Sequence, residues 1–213
     1  MTALAEVTEF HPNRGYEIIK RLFDISAAVV GIVLLSPVLL TIAVAVKLSS
    51  PGPILYRGTR AGRLGVPFQI MKFRSMYVGS DRGAGTTSRD DPRVTPVGKI
   101  LRKFKLDELP QLFNVLLGDM SVVGPRPELL RYTEQYTGDE KLILAVRPGI
   151  TDFSSIQFSN LNELIGDEDP DREFETKVLA AKNKLRIKYV RERGFLLDLQ
   201  LIAQTLLRVA RLR

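Results

Sequence analysis

The sequence predicts an α/β fold that is mainly α with a small β-hairpin. A membrane helix-break-helix enters the bilayer and turns back, a compact cytosolic domain follows, and amphipathic helices lie at the membrane interface. Three observations predict it. Residues 25–46 read ISAAVVGIVLLSPVLLTIAVAV, 22 residues without a charge. Short β-prone runs at 54–56 and 68–71 alternate with Gly- and Pro-containing turns. Apolar residues then recur at helical spacing through 99–120, 174–193 and 196–213.

The uncharged run would reach ~33 Å as a straight helix, enough for a bilayer core of ~30 Å. A soluble helix this long and apolar on every side is unusual, and no small-residue cleavage site marks a removable signal peptide. Arg14, Lys20 and Arg21 precede the run, while Lys47, Arg57, Arg60 and Arg63 follow it. Both flanks therefore favour the cytoplasmic side, which a single crossing cannot satisfy. Pro37, after Ser36, removes a backbone N–H and crowds the carbonyl of residue 33, a local cause for a bend. A kinked spanning helix is the competing reading; charge and proline together favour re-entry.

Four segments result: a polar N-terminal segment 1–19, the membrane helix 20–48, a domain 49–195, and a C-terminal amphipathic helix 196–213. Within the domain, 78–98 is rich in Gly, Ser, Thr, Asp and Pro and reads as a long mobile loop. Pro110 fits a helix only in its first turn, and Gly118 marks the end of that helix. This places Asp107 and Glu108 at or just before a helix N-terminus, beside Arg102, Lys103 and Lys105. Arg126 stands between two prolines with little backbone freedom, suited either to a ligand contact or to an ion pair that caps a helix. Arg147 is likewise fixed before Pro-Gly. The acidic stretch 166–175 lacks the ligand pattern of a calcium loop and reads as a solvated turn. The tail, with Leu196, Leu199, Ile202, Ala203, Leu206 and Leu207 largely on one face and Arg208, Arg211 and Arg213 at its end, suits the lipid interface.

Composition removes much chemistry. There is no cysteine and one histidine, His11, so disulfides, thiol nucleophiles and Cys-ligated metals are excluded, and a catalytic triad is disfavoured. The net charge of +7, from 31 basic and 24 acidic residues, points to polyanionic partners. Nucleic acid is not expected, because no nucleic-acid-binding motif is present; a membrane supplies a simpler reason for the surplus. What remains is the Asp107-Glu108 pair among cations. Mg²⁺ binds typically through one or two carboxylates and substrate phosphates, and an ionised aspartate can be a nucleophile at phosphorus.

The motifs KRLFD (20–24), Ser36-Pro37, SPGP (50–53), KFRSM (72–76), the block DPRVTPVGKILRKFKLDELPQLFNVLLGDMSVVGPRP (91–127) and RPGIT (147–151) together resemble the bacterial sugar transferases known as monotopic polyprenyl-phosphate phosphoglycosyl transferases, in their minimal catalytic form. The resemblance runs from about residue 20 to 150. It implies transfer of a sugar 1-phosphate from a UDP-sugar to undecaprenyl phosphate at the cytoplasmic face of the inner membrane, as the first membrane step of a surface glycan or exopolysaccharide pathway. It further implies Asp107 as nucleophile and Mg²⁺ contact, Glu108 as its assistant, and Arg102, Arg126, Lys72 and Arg74 as phosphate-binding residues. Ser36-Pro37 would be the break of the re-entrant helix, and homo-oligomers are possible. Where many relatives continue RPGIT with Gly-Trp-Ala-Gln, this chain has Asp152-Phe153-Ser154-Ser155, which leaves the sugar open. A membrane-bound, metal-dependent diphosphate hydrolase and a non-catalytic membrane scaffold are the rival readings.

Overall fold

The structure, a computed structural model, describes residues 13–80, 91–159 and 169–210. The expectations for His11, for residues 81–90 of the loop, for 166–168 of the acidic stretch and for Arg211 and Arg213 lie outside these. The described residues form a mainly helical body with two small two-stranded sheets.

Helix α1, Arg14–Ser49, is 36 residues long. It starts six residues before the expected boundary because the Asn13 side chain caps it, accepting the Tyr16 amide at 3.2 Å. The sequence predicts a break at Ser36-Pro37; the structure instead continues the helix through Pro37. The Ser36 hydroxyl donates to the Val33 carbonyl at 2.8 Å, the group that Pro37 has no N–H to serve. Thr41 donates to the Pro37 carbonyl at 2.8 Å. The carbonyl orphaned by the proline is thus satisfied by a hydroxyl within the helix itself.

Both ends of α1 are fastened to one body. Near its start, the Lys20 ammonium donates to Asp198 at 2.8 Å, and Asp24 accepts the Val122 amide at 3.0 Å. At its end, the buried Arg74 guanidinium donates to the carbonyls of Ser50 and Pro51 at 2.6 and 3.0 Å. Between these, Ala28 packs with Ile70, Val115 and Met120, while Ile42 and Val46 pack with Phe73 and Leu101. Val29, Val30, Val33, Leu34, Val38 and Leu40 remain exposed.

Strands β1 (Leu55–Ala61) and β2 (Pro67–Phe73) form the expected antiparallel hairpin, with Leu55 opposite Phe73. Helix α2, Pro96–Lys103, begins inside the segment read as loop: Met76 bridges to Val94, and Thr95 caps the helix by accepting the Gly98 amide. Thr-Pro is a cap followed by a first-turn proline, a short signal within a polar stretch. Helix α3, Gln111–Leu117, ends at Gly118 as expected, with φ 98° and its amide on the Asn114 and Val115 carbonyls. Arg147 donates to the Gly118 carbonyl at 3.0 Å, so this arginine serves the end of α3.

A parallel pair, β3 (Ser121–Val123) with β4 (Gly149–Thr151), was not expected. Three-residue strands are too short to show a period of two. A Cβ on Gly149 would lie 2.0 Å from the Gly124 amide nitrogen, so the approach of the two chains needs glycine there. Short helices α4 (Leu130–Thr133) and α5 (Phe153–Gln157) follow; α6 (Pro170–Glu173) passes through a wide turn into α7 (Ala180–Glu192), and α8 spans Phe195–Ala210. Leu201 of α8 is buried beside Val123, Tyr189 and Val190, whereas Leu196, Leu199, Leu206 and Leu207 are exposed. The buried Asp198 carboxylate accepts from Tyr16, Lys20 and Tyr189, each at 2.8 Å.

Replacing Asp198 by Ala should destabilise the protein by about 3 kcal/mol or more, because Lys20 is left buried with only Asp24, at 4.0 Å, near it. Denaturant unfolding of the detergent-solubilised protein measures this. A loss under about 1 kcal/mol would mean that water replaces the carboxylate.

Candidate active site

The segment 99–120 is not one helix. Lys105 adopts the left-handed conformation, φ 58° and ψ 20°, and the chain then makes a single tight turn, Leu106–Glu108, before α3. Successive residues in such a turn diverge by about 120°, so Asp107 and Glu108, adjacent in sequence, enter different surroundings.

Glu108 is clamped. One carboxylate oxygen accepts from the Lys72 ammonium at 2.8 Å and from the Arg126 guanidinium. Lys72 lies on β2, whose register is held by the fully buried Asn114 of α3: its side chain accepts the Met71 amide and donates to the Gln69 carbonyl, both at 2.8 Å. Arg126 is held through its mount. Its guanidinium also donates to the Ile150 carbonyl at 3.4 Å, and its amide reaches the Asp152 carboxylate at 3.4 Å. Burial would raise the Glu108 pKa, but the charges and hydrogen bonds of Arg126 and Lys72 outweigh it and hold the carboxyl well below its ordinary value.

Asp107 differs. It is 7% exposed, and no described residue donates a hydrogen bond to its carboxylate. Burial and then the neighbouring Glu108 charge raise its pKa, opposed by Lys72, Arg102 and Lys105. Arg102 donates to the Ser75 hydroxyl at 2.8 Å and also interacts with Asp91, which is itself bonded to Arg93. Four cations, Lys72, Arg102, Lys105 and Arg126, therefore surround two carboxylates. That surplus suits a diphosphate.

Five of the six residues that sequence reading places here are together: Asp107, Glu108, Lys72, Arg102 and Arg126. Arg74 is not available. It is 5% exposed, with its guanidinium spent on the carbonyls at the end of α1; it stands just past the end of β2, where the alternation that would keep it on the Lys72 face no longer holds. Sequence reading missed Ser75, Asn114 and Asp152 as supports. Asp152 is fully buried and accepts the Ser155 amide and the Ser154 and Ser155 hydroxyls at 2.7–2.8 Å. The stretch Asp152-Phe153-Ser154-Ser155 is thus a helix cap that also holds Arg126; only the Asp-x-Ser-Ser pattern at a helix start signals it.

Asp107 is the carboxylate that would hold a Mg²⁺ ion here, since one Glu108 oxygen already takes two cations. Among the described residues no group of three or more acidic or histidine side chains could hold a metal, so substrate phosphates and water would complete its shell.

The two carboxylates should respond oppositely to neutralisation. Asp107 has a raised folded-state pKa, so its ionisation costs stability as pH rises through that value, and Asp107→Asn should raise the melting temperature at pH 7. Glu108 has a depressed one, so its contribution is present above the ordinary Glu range and lost as pH falls through the folded value. Glu108→Gln should cost roughly 2 kcal/mol by leaving Lys72 and Arg126 unpaired. Thermal unfolding of both variants tests the pair; the same sign for both would overturn this assignment of charges.

Comparison with known proteins places this geometry in context. The family described as bacterial sugar transferase matches residues 15–212. The chain is 42% identical over 192 residues to a UDP-glucose:undecaprenyl-phosphate glucose-1-phosphate transferase of Escherichia coli (strain K12), covering 88% of this chain and 39% of that protein. It is 44% identical over 150 residues to a protein of the same name from Caulobacter vibrioides (strain ATCC 19089 / CIP 103742 / CB 15), covering 68% and 56%. It is 36% identical over 192 residues to the uncharacterized sugar transferase EpsL of Bacillus subtilis (strain 168), covering 90% and 87%. The chain spans about two fifths of the Escherichia coli relative. With the matched region covering the clamp, the Asp107 turn and both ends of α1, the chain belongs to the bacterial sugar transferase family.

Proposed function

We propose that the protein transfers a sugar 1-phosphate from a UDP-sugar to undecaprenyl phosphate, producing undecaprenyl-diphosphate-sugar and UMP. The observation that carries this reading is the contrast within one turn: Glu108 tied to two cations, and Asp107 with a free carboxylate among cations. Relatives named as UDP-sugar:undecaprenyl-phosphate transferases support it.

An Asp107 oxygen attacks the β-phosphorus of the donor, forming an acyl phosphate while the bond from that phosphorus to the bridging oxygen breaks. UMP departs with the bridging oxygen and its electron pair. An oxygen of the lipid phosphate then attacks the same phosphorus and returns Asp107 as a carboxylate. Arg102, Lys72 and Arg126 neutralise the charge that accumulates, which with positioning is most of what phosphoryl transfer needs. Mg²⁺, when bound at Asp107, supplies further neutralisation of the diphosphate. Glu108 keeps Lys72 and Arg126 converged on this spot.

The membrane helix re-enters on this reading, with the site at the cytoplasmic face of the inner membrane. What supports it is that both flanks of the apolar run are fastened to the same body, Lys20 and Asp24 before it and Val46 and Ser50 after it. A crossing helix would separate those flanks by ~30 Å of hydrocarbon. Leu196, Leu199, Leu206 and Leu207 of α8 extend the exposed apolar surface, as an interfacial helix does.

Incubation with Mg²⁺, undecaprenyl phosphate and a panel of UDP-sugars should release UMP only when the lipid is present, with sugar appearing in the lipid fraction. Sugar phosphate accumulating in solution would mean hydrolysis. Asp107→Asn should reduce UMP release by about 10³-fold or more while the fold is kept. Single cysteines at Thr2 and Arg208, introduced into a chain with none, should both be labelled from the cytoplasmic side; labelling from opposite sides would refute re-entry.

A further inference from the structure

Three of the four cations around Asp107 already have partners. Lys72 and Arg126 are bonded to Glu108, and Arg102 is bonded to Ser75. Lys105 is the exception: no described residue forms a hydrogen bond or ion pair with its ammonium, and the side chain is solvent-accessible. Its charge nevertheless acts on both Asp107 and Glu108.

The backbone at this position makes the choice of lysine informative. Lys105 is one of two non-glycine residues with positive φ among those described; the other, Leu64, lies in the tight connection between β1 and β2. A side chain in the left-handed region costs about 1 kcal/mol, which glycine would not incur. Strain of this kind gathers at sites where the geometry is used. Here it turns the chain from α2 into the Asp107 turn, two residues before the carboxylate, and brings an ammonium to that place.

Resting on the reading above, we propose that Lys105 is a further phosphate-binding residue of this site: its unpartnered ammonium receives the substrate phosphate that arrives at Asp107. The phosphate has two possible sources with one chemistry, the diphosphate of the nucleotide donor and the phosphate of the lipid acceptor.

Lys105→Gly tests this without endangering the fold, because glycine relaxes the strained backbone. The melting temperature should be unchanged or higher, while KM rises about tenfold, for the UDP-sugar if the donor is the ligand and for undecaprenyl phosphate if the acceptor is. Lys105→Arg should restore most of the loss, and Lys105→Asn, which tolerates the same backbone, should behave as glycine does. Calorimetric titration of UDP into the Asp107→Asn protein, with and without Lys105→Gly, reads donor binding independently of turnover. Unchanged KM for both substrates in an active enzyme, or a fall in melting temperature with KM unchanged, would overturn the role of Lys105. A wild-type protein that turns over no UDP-sugar but loses UDP affinity on Lys105→Gly would instead refute the proposed reaction and keep the phosphate site.

Discussion

The ion cluster on Glu108 is the interaction on which the site depends. One carboxylate draws together β2 through Lys72 and the Pro-Arg-Pro loop through Arg126, segments 36 and 18 residues away in sequence. Removing it would leave two partly buried cations facing each other, an arrangement that repulsion and desolvation both oppose. Its presence also explains how adjacent carboxylates have opposite electrostatic characters. The clamp uses the cations that lie nearest Glu108, and Asp107, turned about 120° away, feels them as field rather than as hydrogen bonds. A buried carboxylate with a raised pKa and no hydrogen-bond donor among the described residues is costly in a folded protein.

Two buried polar side chains carry the clamp's geometry to the rest of the fold. Asn114 binds the backbone of β2 from α3, which fixes where Lys72 emerges relative to the turn preceding α3. Asp152 caps α5 and holds the Arg126 amide, so the loop is oriented by a helix start rather than by its prolines alone. Beyond them, the buried Arg186 of α7 is paired with Glu128, two residues after Arg126, which burial would neutralise but for Arg186 and Lys182. The chain of supports therefore runs from the Asp107 turn into the helical body through buried polar contacts, each of which would be expensive to break on one side.

Much of this was legible in the sequence, and the misses have physical causes. The uncharged run, the hairpin, Gly118 as a helix end and the Asp-Glu turn before Pro110 could be read because each rests on local chemistry. Arg126 presented between prolines could be read too, although not the choice of Glu108 as its partner, since that pairing is tertiary. Arg74 was misread because a motif shows which residues are cationic and not which way a strand end turns them. The β3–β4 pair left no pattern in three residues a side, and α2 began inside a polar stretch whose only helical signal was Thr95-Pro96. The proline in α1 showed the position of a defect; its repair by the Ser36 hydroxyl lets the helix continue through it.

Helix α3 joins the chemistry to the apolar surface. Its first residue, Gln111, follows the Asp107 turn by three positions, and its outer face ends in exposed Leu116 and Leu117. Seven residues of helix cover only about 10 Å, so the Asp107 turn lies within roughly one lipid head group's depth of side chains suited to hydrocarbon. Arg21 of α1 caps this same helix end, donating to the Val115 and Leu116 carbonyls at 2.7 and 3.1 Å. The long apolar helix α1 and the Asp107 turn are thereby held at the two ends of one short rigid element. On the proposed reading, a lipid phosphate need not leave the head-group layer to meet Asp107, and a water-soluble donor need not enter the bilayer.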